Sequence, residues 1–290
     1  MSYNKREGND HEPPRRSPRV AIGKVIAAKD SFAGENLRRT VRWSSGARLA
    51  QATVPKHRTA IRSDGAEQKM FLKIKNLLAT PEIARLTSLS RELRFVSGRV
   101  SNPANVTKDN LQVDHGDPKY AESVQVVSVA FARSREFVDF AMPKHVAPPL
   151  LCRYTPGMKY GAHADAALVH IGNSRLRSDL SCTVFINDPS AYDGGELSIV
   201  VGNQAIAFKG AAGDAIVYPS TALHEVVPVR SGERLVSITF IESHIADQHQ
   251  RTQVYELNEI AALEGLSMKW ENRVRLDVVR QNLMRMWSTT

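Results

Sequence analysis

Cysteine is almost missing from this chain: 290 residues carry two, Cys152 and Cys182. That is too few for a disulfide framework, and both sit in apolar strand-like runs, where a thiol packs as a small hydrophobe. Long apolar runs are missing as well. No stretch approaches the roughly eighteen residues that a membrane-spanning helix needs, and the polar start M-S-Y-N-K-R-E-G-N-D-H-E has no apolar segment of the secretory kind. A cytoplasmic protein with no membrane partner is expected. Internal repeats and a low-complexity core are also absent, while 42% hydrophobic residues suffice for a sizeable core in one large or two ordinary domains.

A formal charge of +9 raises the question of nucleic acid, so the place of the excess matters. Residues 1–68 hold fourteen Lys and Arg against seven Asp and Glu, a net of +7, which leaves +2 for residues 69–290. Composition therefore demands no basic groove around a catalytic centre, and a nucleic-acid partner is not expected. Residues 1–68 mix Pro, Ser, Arg and Gly, as in E-P-P-R-R-S-P-R, with few clustered apolar residues to offset their ordering entropy. They read as a basic, disordered extension in which Val20 to Ala28 is a candidate local element. The sharper reading is an arm that docks an acidic partner or nucleic acid. Glu7, Asp10 and Glu12 argue against an organelle transit peptide.

The folded part is expected to begin at Met70, where M-F-L-K-I-K-N-L-L reads as a strand and a turn. Thr80, Pro81 and Glu82 form a helix start with Thr80 as N-cap, and Ile83, Leu86, Leu89 and Leu93 give that helix an apolar stripe. Residues 98–118 read as loop-rich. A second helix is expected over 118–134, with Val124, Val127 and Phe131 at helical spacing. From Pro148 onward, short β-branched and aromatic runs alternate with Gly, Pro, Asn and Asp, the pattern of a β-barrel or sandwich. Strands are expected over 150–154, 180–186, 195–200, 205–208, 214–218, 224–229 and 234–242. After Ile245 a helical period returns to about Trp287, first with Val254, Leu257, Ile260 and Leu263 on one face, later with Val274, Leu276, Val279, Leu283 and Met286. The fold class is α+β: a double-stranded β-helix of the jelly-roll or cupin-like kind, with supporting helices before it and a helical extension after it. The domain limits that follow are 1–68, 69–245 and 246–290.

The chemistry concentrates in R-Y-T-P-G-M-K-Y-G-A-H-A-D, Arg153 to Asp165. His163 and Asp165 lie two apart on an extended segment, so their side chains point to one face and can reach one point. His224, in Y-P-S-T-A-L-H-E-V, is the candidate third ligand, and Arg234 follows ten residues on. Two histidines and one carboxylate on one side of an ion leave adjacent positions open, the arrangement of non-haem Fe(II) oxygenases; zinc is the competitor by affinity. Gly194 and Gly195 in Y-D-G-G-E-L serve backbone geometry at a tight turn. His115, His145, His170, His244 and His249 show no partner spacing and read as surface or packing residues.

With those residues placed, the chain resembles the PKHD-type hydroxylases, Fe(II)- and 2-oxoglutarate-dependent dioxygenases related to prolyl 4-hydroxylase. The matching stretches are K-D-N-L-Q, the Arg153–Asp165 segment, D-L-S-C-T-V-F-I-N-D-P-S-A-Y-D-G-G-E-L, A-G-D-A-I-V-Y-P-S-T-A-L-H-E-V-V-P-V, G-E-R-L-V-S-I-T-F-I-E-S and Q-N-L-M-R-M-W. The resemblance implies that His163, Asp165 and His224 bind Fe2+ and that Arg234 binds 2-oxoglutarate; a planar, permanently charged guanidinium matches a carboxylate in bidentate fashion. Tyr154 and Thr183, on strands that line the same pocket, are the further candidates for hydrogen bonds to the cosubstrate. Where the family has Asn-Ala after the aspartate, this chain has Ala166 and Ala167, which bears on substrate preference. Related halogenating enzymes replace the carboxylate ligand by a small residue, so retention of Asp165 favours hydroxylation.

The implied reaction takes O2 and 2-oxoglutarate, releases succinate and CO2, and inserts one oxygen into a C–H bond of a peptidyl or free amino-acid-like substrate, with L-ascorbate as auxiliary reductant. Two other readings compete with this one. An oxidative nucleic-acid demethylase of the same superfamily shares Y-x-P-G and H-x-D, but the G-G-E-L stretch and the nearly neutral catalytic region speak against it. A non-catalytic jelly-roll binding module would need no iron. The substrate loops are expected over 98–118 and 166–177, and the C-terminal helices are either a brace or the surface of a homo-oligomer.

Overall fold

The structure, a computed structural model, describes residues 70–289, so the expectations for residues 1–68, the Val20–Ala28 element included, lie outside the described residues. The chain opens with β1 (Leu72–Ile74), α1 (Thr80–Glu92), β2 (Phe95–Ser97), β3 (Lys108–Asp109) and β4 (Leu111–Val113). Two helices follow, α2 (Tyr120–Arg133) and α3 (Arg135–Ala141), then β5 (Pro143–Val146), β6 (Leu150–Tyr154) and β7 (Lys159–His163). A hairpin of β8 (Leu168–Ile171) and β9 (Ser174–Arg177) leads to β10 (Leu180–Phe185), β11 (Tyr192–Gly194), β12 (Leu197–Val201) and β13 (Gln204–Phe208). The strands end with β14 (Ala215–Pro219), β15 (His224–Val226), β16 (Val229–Gly232) and β17 (Arg234–Ser243), before α4 (Gln248–Glu264) and α5 (Trp270–Trp287).

The main sheet runs β1-β14-β10-β17-β6-β4-β2, with β5 also paired to β17, and a second sheet runs β13-β12-β15-β7-β3. Their pairings are antiparallel. This is the expected α+β jelly roll. The strand period of two sorts its residues cleanly. Leu180, Cys182 and Val184 of β10, Ala215 and Val217 of β14, Leu151 of β6, and Leu235 and Ile241 of β17 join one core with Leu86, Leu89, Val127, Phe131 and Phe137 of the helices. The residues between them, including Cys152, Tyr154, Phe185, Ile216, Tyr218 and Val236, face the space between the sheets. Cys152 and Cys182 are buried, unbridged and on opposite faces, as small hydrophobes.

Several local expectations shift. Helix α1 begins at Thr80, so Ala79 holds the N-cap position and the orphan Ala79 N–H is met by the Glu82 carboxylate at 2.7 Å, not by a Thr80 hydroxyl. The region 98–118 contains β3 and β4, and 166–177 contains the β8–β9 hairpin; both are too short and too polar to announce themselves by period. The expected strand 224–229 is two strands: Pro228 has no N–H to donate, and the chain changes sheets there, from β15 beside β12 and β7 to β16 beside β11. In α4 the buried face is Arg251, Val254 and Tyr255, whereas Ile260 and Leu263 are about half exposed, as are Val274 and Val279 in α5. More apolar positions recur at helical spacing there than the core covers. Leu283, Met284 and Trp287 do pack on that core.

Candidate metal centre

The two sheets bring the predicted ligands together. His163 ends β7 and His224 begins β15, and the two are direct cross-strand partners. One ligand atom each from His163, Asp165 and His224 lies within 4.8 Å of the others. The Nε2 atoms of His163 and His224 stand 3.8 and 3.7 Å from the Asp165 carboxylate oxygens Oδ1 and Oδ2. All three side chains are largely shielded from solvent. Each ring is fixed from behind: His163 Nδ1–H donates to the Gly161 carbonyl at 2.8 Å, and His224 Nδ1–H to that of Ala222 at 3.0 Å. That tautomer leaves both Nε2 lone pairs aimed inward, as ligation requires. Burial, reinforced by the neighbouring His224, holds the His163 imidazole below its usual range and therefore neutral.

Asp165 is oriented by residues that sequence reasoning did not single out. Ser181 Oγ donates to Asp165 Oδ2 at 2.6 Å, Ser220 Oγ lies 2.7 Å from Ser181 Oγ, and Ser178 Oγ donates to Ser220 at 2.7 Å. Because the Ser181 proton is committed to the carboxylate, Ser220 must donate to Ser181, so each hydroxyl donates once along a chain that ends on Asp165. The Asp165 backbone N–H bonds the Ser220 carbonyl at 3.1 Å. Ser181 was legible in one respect: it precedes Thr183 by two on β10 and so shares its face.

Arg234, first residue of β17, is 1% exposed, and its Nε has no hydrogen-bond partner. No carboxylate of the described residues lies within 4.0 Å of its guanidinium. Tyr154, its cross-strand partner on β6, presents its ring 4.9 Å from the guanidinium carbon. The Tyr192 hydroxyl, also buried, has the Arg234 guanidinium as its hydrogen-bonding neighbour; Tyr192 sits on β11 beside Gly195, where a Cβ would come within 3.0 Å of Arg234 Cδ and 3.2 Å of Tyr192. Gly194 and Gly195 have φ of +75° and +67°, the left-handed geometry expected of that turn. Thr183 is buried and shares a hydrogen bond with Tyr218, whose ring meets His224 edge-on at 5.1 Å. The structure thus gathers all six candidate residues on one side of the main sheet. His115 stacks on Tyr120, and His145 stands 3.3 Å from Glu242, a partner its spacing did not disclose.

A buried guanidinium that has no carboxylate partner among the described residues, together with a His-Asp-His cluster, is what a dicarboxylate cosubstrate would satisfy. Fe(II), a borderline ion, suits the mixed imidazole and carboxylate donors. The 2OG-Fe(II) oxygenase superfamily profile matches residues 149–242, a span that holds all of these groups. A PKHD-type hydroxylase of Sphingopyxis alaskensis is 48% identical over 217 residues, covering 75% of this chain and 99% of that one. The chain belongs to the PKHD-type hydroxylases. A second member, from Stutzerimonas stutzeri, is 37% identical over 225 residues, again 75% of this chain and 99% of the relative. Among solved structures a prolyl-4-hydroxylase of Pseudomonas putida is similar at 18% identity and a TM-score of 0.44, over 60% of this chain and 92% of that one. Membership makes the protein an Fe(II)- and 2-oxoglutarate-dependent dioxygenase, and its donor set and orphaned Arg234 fit both groups.

Proposed function

We propose that this PKHD-type hydroxylase inserts one oxygen atom into a C–H bond of an amino-acid side chain, carried by a peptide or by a small amino-acid-like molecule. The observation that carries the reading is the buried Arg234 of the main sheet, with no carboxylate partner among the described residues, together with the His-Asp-His cluster on the second sheet, whose rings are anchored to backbone carbonyls. With metal and cosubstrate bound, they supply the oxidation, in which O2 is consumed and 2-oxoglutarate leaves as succinate and CO2 while the substrate gains a hydroxyl.

The chain's own residues bind and orient. His163, Asp165 and His224 hold the metal, and the serine chain fixes which carboxylate lone pairs face it. Arg234 grips the distal carboxylate of 2-oxoglutarate by charge-assisted hydrogen bonds, with Tyr154 under its plane and Thr183 on the pocket wall; Tyr192 offers a further donor. Phe185, Ile216 and Val236 keep water from that end. At the open side the neighbours of Asp165 are Ala166 and Ala167, both exposed and small, which supports access for a substrate bulkier than the cosubstrate. L-Ascorbate belongs to the assay as auxiliary reductant. No helix of the described residues is long and apolar enough to cross a membrane; a cytoplasmic site of action is part of the proposal.

The test is succinate release by purified protein given Fe(II), 2-oxoglutarate and ascorbate, coupled to a search of peptides and metabolites for a mass gain of one oxygen. His163→Ala is expected to lose both signals. Equal succinate from the two proteins overturns the metal assignment, and succinate without any oxygenated product overturns the substrate reading.

A further inference from the structure

Lys108 enters the same pocket from its other rim, outside the span of the superfamily profile. It lies on β3, the edge strand, directly across from Tyr160 of β7. That edge lies tight on its neighbour: a Cβ on Gly161 would stand 2.7 Å from Thr107 Oγ1. The Lys108 side chain runs inward and is 6% exposed. Its ammonium donates to Ser101 Oγ at 2.7 Å and sits 5.0 Å from the centre of the Tyr160 ring. That ring stacks on His163 at 3.6 Å, and its hydroxyl is held by Asn102 Nδ2 at 3.1 Å. No carboxylate of the described residues lies within 4.0 Å of the ammonium.

A buried ammonium that among the described residues has one hydroxyl as hydrogen-bond partner, one ring face beside it and no carboxylate within 4.0 Å is poorly compensated. Burial pushes it down from its ordinary range, against a smaller upward pull from Cys152 and then Asp165. The charges of the loaded site can be matched one by one. Fe(II) would be met by Asp165 and the chelating carboxylate of 2-oxoglutarate, and Arg234 by the distal carboxylate. Lys108 is the cation left over, and it stands beside the Tyr160–His163 stack of the second sheet, whereas the Arg234–Tyr154 pair lies on the main sheet.

We infer that Lys108 is a specificity-determining residue that receives an anionic oxygen group of the substrate, a carboxylate or a phosphate. The inference rests on the metal and cosubstrate assignments under Proposed function. It narrows the substrate class to acidic side chains, chain-terminal carboxylates or phosphorylated groups placed near the carbon that reacts. Tyr160 is then a positioning residue that holds both the cation and the metal-binding ring.

The experiment uses full-length protein loaded with Fe(II) and 2-oxoglutarate without O2, whose visible charge-transfer band responds when a molecule binds over the metal. The α-carboxamides of L-aspartate and O-phospho-L-serine, whose only anion is the side-chain carboxylate or phosphate, are titrated against those of L-asparagine and L-serine. Wild-type protein is expected to bind at least one anionic member roughly ten-fold more tightly than its neutral counterpart, the scale of a charge-assisted hydrogen bond. Lys108→Met removes the difference, Lys108→Arg keeps most of it, and both variants form the band at the wild-type concentration of 2-oxoglutarate. The member of the pair that binds separates carboxylate from phosphate. Equal affinity within each pair, no binding of either anion, or weakened 2-oxoglutarate binding in Lys108→Met overturns the inference, the last by moving Lys108 into the cosubstrate subsite. A wild-type protein that forms no band at all overturns the function reading, and the inference with it.

Discussion

On the helix-covered side of the main sheet, Leu151, Cys182, Val217, Leu235 and Ile241 meet Leu86, Phe131 and Phe137; on the other side the same strands present Tyr154, Ser181, Thr183, Tyr218 and Arg234. Adjacent residues of one strand therefore do opposite things. The first face gains from removing apolar area from water, at about 25 cal/mol per Å2. The second face carries or encloses groups that burial penalises: on the sheet itself a guanidinium with no carboxylate partner among the described residues, and across from it the clustered imidazoles of the second sheet. A fold can carry such groups only where other contacts supply the surplus, and here the surplus lies one residue away along each strand.

The separation can be broken from either side. The largest effect is expected from Phe137→Ala, which empties a fully buried site packed against Phe131 at 4.6 Å between ring centres. Urea unfolding should show a loss of about 3–5 kcal/mol, while the folded fraction binds metal as before. A fall in metal affinity beyond the folded fraction would mean that the two faces are coupled. Next comes Ser181→Ala, which removes the donor to Asp165 from the pocket face. Competition with a chelator should read roughly ten- to hundred-fold weaker metal binding with little change in stability, and unchanged affinity would deprive the serine chain of its role.

The smallest effect concerns the outer helices. Arg133 holds the Glu82 carboxyl below its ordinary value of 4.5, mainly through their side-chain hydrogen bond. A depressed folded-state carboxyl gives stability that is complete above about pH 4.5 and is lost as the pH falls through the folded value. Both side chains are partly exposed, so the contribution is at most about 1 kcal/mol. Glu82→Gln should flatten the unfolding midpoint between pH 5 and pH 3, approximately the titration range of a carboxyl, without touching metal binding. An unaltered acid limb would assign the loss to other carboxylates.

The sorting of residues by face also explains what the sequence disclosed. The triad was legible because two of its members sit two apart on an extended segment and the third opens a run of strand formers; Arg234, ten residues further on, carried the expectation of an anion. The long strands were legible by composition, β6 to the residue. What escaped was whatever depends on a partner far along the chain. Ser178 and Ser220 are 42 positions apart, and nothing in either segment reveals the bond between them. Lys108 reads as one more surface lysine until β3 is laid against β7. The β8–β9 hairpin escaped for a different reason: its exposed alternation is too mixed to show a period of two.

That hairpin is also where the fold leaves most freedom. Its strands pair only with each other, its base is tied by the Ser178 N–H to the Ala167 carbonyl at 2.9 Å, and a side chain at Gly172 in its tip would meet nothing within 4 Å. Residues 168–175 accordingly form a cassette that begins three positions after a metal ligand yet contributes no rung to either large sheet. Lengthening, trimming or exchanging it between relatives leaves both ladders intact, so new substrate preferences can accumulate there at little cost to folding.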